Sequence, residues 1–228
     1  MNTNISVLIP ARNTQPYIRE AITSVLEQTL KPAEIIVYDD NSTDSTAAII
    51  KEFAGQVRYM GPARLGATGA RNLLLEHAKY QWIAFQDSDD IWMPQKLEKQ
   101  MDFLQKNPEF DACLGLAEHF LEPGCQPPLN FRNELLDQPS AQFYIQNLLA
   151  SRAVFNRVGH FDIEDIQGAT SDWFVRARDC GVNIGVVQEI VYRHRWHDTN
   201  HCYDFAFQRD MLAILRRSIQ RKRDNEKN

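Results

Sequence analysis

The sequence predicts an α/β fold with a mostly parallel, Rossmann-like central sheet flanked by helices. Three observations predict it. Short apolar runs alternate with helix-period segments through the first half of the chain, and that succession means parallel strands joined by right-handed crossovers. The runs are continuously apolar, as strands covered on both faces are. Polar, mostly acidic residues follow three of them, at the carboxyl ends where an open parallel sheet binds its ligands.

"ISVLIP" (Ile5–Pro10) is the first strand, stopped by proline. Ile18, Ala21, Ile22, Val25 and Leu26 then recur at three- and four-residue spacing, the signature of an amphipathic helix. "EIIVYDD" (Glu34–Asp40) is the second strand. In "NSTDSTAAIIKEF", Asp44 or Ser42 can cap a helix that carries Ala47, Ile50 and Phe53 on one face. "VRYM" (Val57–Met60) is a third strand, "GATGARNLLLEHA" a helix with a glycine-rich start, and "QWIAFQD" the fourth strand. A further amphipathic helix begins at Pro94. In the second half, "DACLGLAEHF" (Asp111–Phe120) reads as a strand. Leu121–Ser140 holds four prolines and no period, so it reads as a long loop, and such loops in compact domains are usually functional or mobile. "DWFVRARDCG" is a short helix ended by Gly181, and "NIGVV" and "IVYRHRW" are two strands. An apolar-faced helix starts at Asp204 and ends in a basic tail. Phe207, Met211, Ile214 and Leu215 share its apolar face, which suits packing, dimerisation or contact with an anionic membrane.

The composition bounds the function. A chain of 228 residues, 43% hydrophobic and 24% charged, suits one domain with at most an appendage. A net charge of −5 gives no sign of a nucleic-acid-binding surface. Cys113, Cys125, Cys180 and Cys202 are far apart and form no CxxC pair, so free thiols are expected. No apolar run is long enough to span a membrane, and "MNTNISVLIPARN" lacks the order of a signal peptide. The expectation is a cytoplasmic protein, peripheral to the inner face of a membrane if the C-terminal helix docks there.

The chemistry gathers at the strand ends: Pro10-Ala11-Arg12-Asn13, Asp39-Asp40-Asn41-Ser42 and Asp87-Ser88-Asp89-Asp90. If the strands are neighbours, these groups share one rim. Hard oxygen ligands suit Mg²⁺ or Mn²⁺, which would relieve the repulsion among Asp87, Asp89 and Asp90. A plainer role is also open, with Asp87 and Asp90 capping the helix near Pro94. The glycine-rich start of "GATGARN" offers backbone N–H groups to an anion, and Arg71 offers a guanidinium. "RHRWHDTNH" reads as a basic loop facing a diphosphate. A His197–His201 metal pair is the weaker alternative there.

In order and spacing, "VLIPARN", "SVLEQTL", "EIIVYDDNSTDST", "GARN", "FQDSDDIWMPQKLEKQ", "VGHFD" and "YRHRWHDTN" resemble the family 2 glycosyltransferases over roughly residues 5–200. The resemblance implies the GT-A fold and an inverting transferase using a nucleoside diphosphate sugar, most often a UDP-sugar, with a divalent metal. It implies a domain over 1–203, with a nucleotide-binding half (1–110) and an acceptor half (111–203), followed by a helix and basic tail (204–228). It implies that Pro10, Ala11 and Arg12 line the nucleoside pocket, with Asp39, Asp40, Arg71 and Ser88 around the nucleotide. Asp87 and Asp89 form the D-x-D pair, with Asp89 the metal ligand and Asp87 a ribose contact or supporting ligand. His197 helps hold the metal or diphosphate. The acceptor, whether glycan, lipid-linked saccharide or peptide, stays open.

One position departs from the family. The acidic pair that carries the catalytic base falls on Ala169-Thr170 here, and a threonine is no base near neutral pH. Asp172 and Asp165 are the nearest carboxylates. Asp172 can be the base or can support the first turn of its helix. Two other readings stay open: a nucleotide-sugar-binding protein without catalysis, and a nucleotidyltransferase, although "PARNTQPY" lacks the glycines of that class's phosphate loop.

Overall fold

The computed structural model describes residues 3–127, 134–164, 168–198 and 207–225. The first half follows the expected alternation: β1 (Ile5–Ala11), α1 (Ile18–Leu26), β2 (Glu34–Asp39), α2 (Thr46–Glu52), β3 (Arg58–Met60), α3 (Gly66–His77) and β4 (Trp82–Phe85). Next come β5 (Ile91–Trp92), α4 (Lys96–Lys106), β6 (Ala112–Leu121), α5 (Glu134–Asp137), β7 (Ser140–Ala141), β8 (Leu149–Ser151), α6 (Arg152–Val158), α7 (Ala169–Asp179), β9 (Ile184–Trp196) and α8 (Phe207–Asn225).

One sheet runs in the order β3-β2-β1-β4-β8-β6-β9-β5, with β7 paired to β6. The strands β3, β2, β1 and β4 are mutually parallel. Beyond β4 the sheet is mixed: β8 is antiparallel to both β4 and β6, β9 is parallel to β6, and β5 is antiparallel to β9. Successive strand residues therefore feed two cores. Leu8, Ile36, Tyr38 and Phe85 pack on one face with α3, α6 and α7, against Leu74, Phe155 and Trp173. Val7, Ile9, Ile35 and Val37 pack on the other with α1 and α4, against Ile18, Ile22, Leu97 and Met101.

Several sequence expectations are corrected. "NIGVV" and "IVYRHRW" are one strand, β9, and the polar Gln188-Glu189 that divides them sits at a shift in its register with β6. The helix expected from Pro94 starts at Lys96. The helix of "DWFVRARDCG" starts earlier, at Ala169. The loop Leu121–Ser140 contains α5, and its residues 128–133 lie outside the described ones. Asp44, not Ser42, serves α2 by accepting the Thr46 N–H at 3.0 Å.

On α8 the inner face is Ile214 and Ser218, which are buried, and Arg217 and Arg221 reach Asp172 and Asp179 of α7. Leu215, expected on that face, is 40% exposed. The side chains of Phe207 and Met211 lie outside the described ones. Cys113, Cys125 and Cys180 are free thiols, and Cys202 lies outside the described residues.

A candidate nucleotide and metal site at the strand ends

Because β2, β1 and β4 are parallel neighbours, their carboxyl ends emerge on one rim. Two asparagines turn the chain there. Asn13 and Asn41 take positive φ values of 50° and 59°, a left-handed conformation that asparagine tolerates better than most residues. Asn13 Oδ1 accepts the Thr43 N–H at 2.8 Å and so ties the loop after β1 to the loop after β2. Pro10 is half-buried, Ala11 buried and Arg12 exposed at the end of β1.

Asp39 and Asp40 have different surroundings. Asp39 is buried, with Oδ1 accepting the Ser42 N–H at 3.1 Å and Oδ2 accepting the Tyr59 hydroxyl at 3.3 Å. Burial and the Asp39 charge together push the Tyr59 phenol above its ordinary pKa. Asp40 accepts the N–H groups of Leu65 and Gly66, the latter at 3.0 Å, at the start of α3. The anion that the glycine-rich helix start attracts is thus the chain's own carboxylate, which corrects the expectation of a free anion site there and gives Asp40 a capping role.

The acidic run after β4 is compensated residue by residue. Asp87 pairs with Arg71 at 2.8 Å, which puts Arg71 beside the D-x-D motif. Ser88 is buried between them and Asp89 in sequence. Asp89 Oδ2 meets His197 Nε2 at 3.0 Å, across 108 residues of chain. Burial alone would raise the Asp89 carboxyl, but the hydrogen bond and charge from His197, with the charge of His194, hold it below the usual range. Asp90 turns inward and is 1% exposed. It accepts the Arg195 N–H at 2.9 Å and meets His194 Nδ1 at 3.1 Å, with Gln146 Nε2 at 3.3 Å. Neither Asp87 nor Asp90 caps α4, whose N-terminal flanking residue is Gln95.

The "RHRW" stretch is strand, not a basic loop. Arg193 pairs with Glu118, and Arg195 bridges Glu20 and Glu122. Arg195 also donates from Nε to the Asp89 carbonyl at 2.9 Å and lies over the rings of Tyr17 and Phe120. His197 stacks on Tyr17 with ring centroids 4.6 Å apart, which fixes the imidazole facing Asp89. His201 lies outside the described residues.

The Asp89 carboxylate and the His197 imidazole place one oxygen and one nitrogen donor side by side at the strand-end rim, hydrogen-bonded to each other at 3.0 Å. Among the described residues there is no group of three or more His, Cys, Asp or Glu side chains that could hold a metal. Beside this pair, Asp87 is held by Arg71.

Asp172 is 3% exposed in the first turn of α7. Its Oδ2 accepts Arg176 Nε at 2.7 Å, and Arg217 approaches Oδ1 at 3.6 Å. Arg176 in turn donates to the carbonyls of Val158, the last residue of α6, and His160, the latter at 2.7 Å. The carboxylate thus orients a guanidinium that satisfies two backbone oxygens. Asp165 lies outside the described residues.

Sequence reasoning passed over Gln146 and Tyr17, and it took Asp90 for a member of the acidic cluster or a helix cap and His194 for part of a basic loop, not for partners of each other. The one available signal was that "DSDD" carries a third carboxylate beyond the D-x-D pair.

Residues 6–166 match the model of the family described as Glycosyl transferase family 2. Over 105 residues the chain is 40% identical to the Escherichia coli UDP-Glc:alpha-D-GlcNAc-diphosphoundecaprenol beta-1,3-glucosyltransferase WfgD, covering 45% of this chain and 42% of that protein. Among solved structures, S. aureus TarS in complex with UDP-GlcNAc superposes with a TM-score of 0.69 at 21% identity, covering 87% of this chain and 60% of that one. The mannosyltransferase PcManGT from Pyrobaculum calidifontis, in complex with GDP-Man and Mn²⁺, superposes with a TM-score of 0.65 at 18% identity, covering 87% and 58%. The chain spans about half the length of the curated relatives it matches. The fold is GT-A, as the resemblance implied, and the chain belongs to glycosyl transferase family 2.

Proposed function

We propose that the chain is an inverting glycosyltransferase that takes its sugar from a UDP-sugar with the help of Mn²⁺ or Mg²⁺. The observation that carries the reading is the meeting of Asp89 and His197 at 3.0 Å on the rim formed by parallel strand ends. Pro10, Ala11, Arg12 and Asp39 line the nucleoside side of that rim, and Ser88 and Asp87 its centre. When bound, the metal stabilises the charge that develops on the departing diphosphate. Tyr17 holds the His197 ring, and Arg71 holds Asp87. Two solved structures with this fold carry UDP-GlcNAc, and GDP-Man with Mn²⁺. A lipid-linked saccharide is the acceptor class we favour, because the E. coli relative is named for transfer to a diphosphoundecaprenol-linked GlcNAc.

Asp89→Asn is expected to remove most of the metal-dependent gain in UDP affinity while leaving the fold intact, because one of two protein ligands loses its charge. Isothermal calorimetry with UDP, with and without Mn²⁺, measures it. Unchanged affinity in the presence of metal would sink the assignment.

Asp172 supports the structure in this reading instead of accepting the acceptor's proton. Its pairing with Arg176 and its burial favour that role. Asp172→Asn should therefore keep its transfer rate and lose about 1–3 kcal/mol of stability, the cost of a weakened charged hydrogen bond. A 10²–10⁴-fold loss of transfer at unchanged UDP affinity, the usual worth of a general base, would restore Asp172 as the base. Asp165→Asn is the companion variant, because Asp165 is the other nearby carboxylate of the sequence.

Ala169-Thr170, at the position of the family's acidic pair, favours one second reading: a protein that binds the nucleotide sugar and transfers nothing. Tight metal-dependent UDP binding without transfer to any saccharide acceptor would select it.

A further inference from the structure

α8 has two unlike faces. Its inner face is fixed on α7 by the buried Ile214 and Ser218, by Arg217 near Asp172, and by Arg221 at 3.1 Å from Asp179. With that face committed, the outer face presents Leu212, Leu215 and Ile219, which are 58%, 40% and 52% exposed. Their spacing of three and four residues makes them a single aliphatic stripe along the helix. The exposed Arg216 and Arg223 lie one residue after Leu215 and four after Ile219, on the flank of the stripe. Over Phe207–Asn225 there are six basic and two acidic residues, in a chain whose net charge is −5. A basic sequence thus coincides, among the described residues, with a helix that exposes leucine and isoleucine.

We propose that this outer face of α8 docks the protein on an anionic lipid surface. The aliphatic stripe enters the headgroup boundary, and Arg216 and Arg223 meet lipid phosphates, the arrangement of an interfacial amphipathic helix. A second copy of the chain fits the face poorly. Pairing about a two-fold axis sets a basic surface against itself. Three aliphatic side chains also fall well short of the ~800 Å² per partner that a stable interface buries. Among the described residues no helix is long and apolar enough to cross a membrane, so the attachment is peripheral and reversible. The inference is independent of the proposed transferase activity. Where both hold, docking brings the protein to the surface that carries a lipid-linked acceptor.

Flotation of the full chain with vesicles tests it. The protein should float with vesicles of phosphatidylcholine mixed with phosphatidylglycerol and not with phosphatidylcholine alone, and added salt should release it. Leu212→Ser/Leu215→Ser/Ile219→Ser should abolish flotation. Arg216→Gln/Arg223→Gln should weaken it roughly thirtyfold, at the usual contribution of a basic residue near such a surface. Both variants leave the α7 contacts in place, and an unchanged melting temperature shows that the chain still folds. No flotation on either composition, equal flotation on both, or flotation that survives the triple substitution overturns the proposal. A dimer in light scattering that the triple substitution dissolves, without flotation, assigns the face to a second copy and overturns it as well.

Discussion

Asp90→Ala is expected to cost about 3–5 kcal/mol of stability, the usual loss when one partner of a buried charged pair is removed. Asp90 ties the chain after β4 to the end of β9 through the Arg195 N–H and the His194 ring. Its own carbonyl accepts Gln86 Nε2 at 2.7 Å, so the turn is held from both sides. Burial raises the Asp90 carboxyl above the usual range even though His194 draws it down. Burial likewise pushes His194 down, but Asp90 outweighs it and holds the imidazole above its ordinary value. Alanine would leave a buried imidazole and a buried N–H without their acceptor. Urea denaturation followed by tryptophan fluorescence measures the loss. Asp90→Asn, which keeps the shape, should fall between wild type and alanine. A loss below about 1 kcal/mol for Asp90→Ala would show that the turn and β9 are held by other contacts. Because Asp89 and His197 flank this knot, metal-dependent UDP affinity should fall with Asp90→Ala even under conditions where the variant is folded.

Lys96→Met is expected to stabilise the protein by about 2–4 kcal/mol below pH 7 and to remove a slope in its stability at higher pH. Lys96 is fully buried at the start of α4. Its Nζ donates to the Asn147 carbonyl at 3.3 Å and lies 5.0 Å from the centre of the Trp92 ring. Burial lowers its pKa to about 7, and burial pushes the neighbouring Cys113 thiol up to about 12, so the thiol supplies no counter-charge. An unfolded lysine titrates near 10.4. Between pH 7 and about 10 the unfolded chain therefore binds more protons than the native one, and stability rises with pH across that window. Below pH 7 both states carry the proton and the full cost of the buried charge remains, offset in part by the Trp92 and Tyr192 rings. Methionine has similar length and no charge to desolvate. Denaturation midpoints of both proteins at intervals from pH 6 to 10 cancel the other titrating groups, which are common to the two. Parallel curves would show that Lys96 keeps its ordinary pKa in the native state.

The parts of the fold that could be read from sequence are those whose periodicity is complete within one element. β1, β2 and β4 are continuous apolar runs, and α1 and α4 keep their buried positions at three- and four-residue spacing. β5, β7 and β8 are two or three residues long and exist only because β9, β6 and β4 offer them partners. No local pattern encodes that. β9 read as two strands because Gln188 and Glu189 break its apolar run where its register with β6 shifts. In the site, Asp87, Asp89, Arg71 and His197 were legible as residues, and the structure brings them together in the pairs Asp87–Arg71 and Asp89–His197. The role of Asp40 was not legible, because its partners are backbone N–H groups, which every sequence has. The role of Asp90 was not legible for another reason: its side-chain partners, Gln146 and His194, lie 56 and 104 residues away.

The position of β9 between β6 and β5 has a consequence for biosynthesis. Asp89 and Asp90 leave the ribosome 108 and 104 residues before His197 and His194. At about 5–20 residues per second, the nascent chain carries its acidic run without those partners for about 5–20 s. Through that interval β6 lacks its longest neighbour, and the edge that β9 will cover stays open to pairing with other chains. The N-terminal half can form its parallel β3-β2-β1-β4 block early, since all its crossovers are already made. The strand-end rim is finished only when β9 pairs with the open edge of β6 and β5 pairs with β9 in turn. A chaperone that shields β6 during this wait would act on yield, not on the stability of the finished protein, and a translational pause placed before β9 would lengthen the exposure.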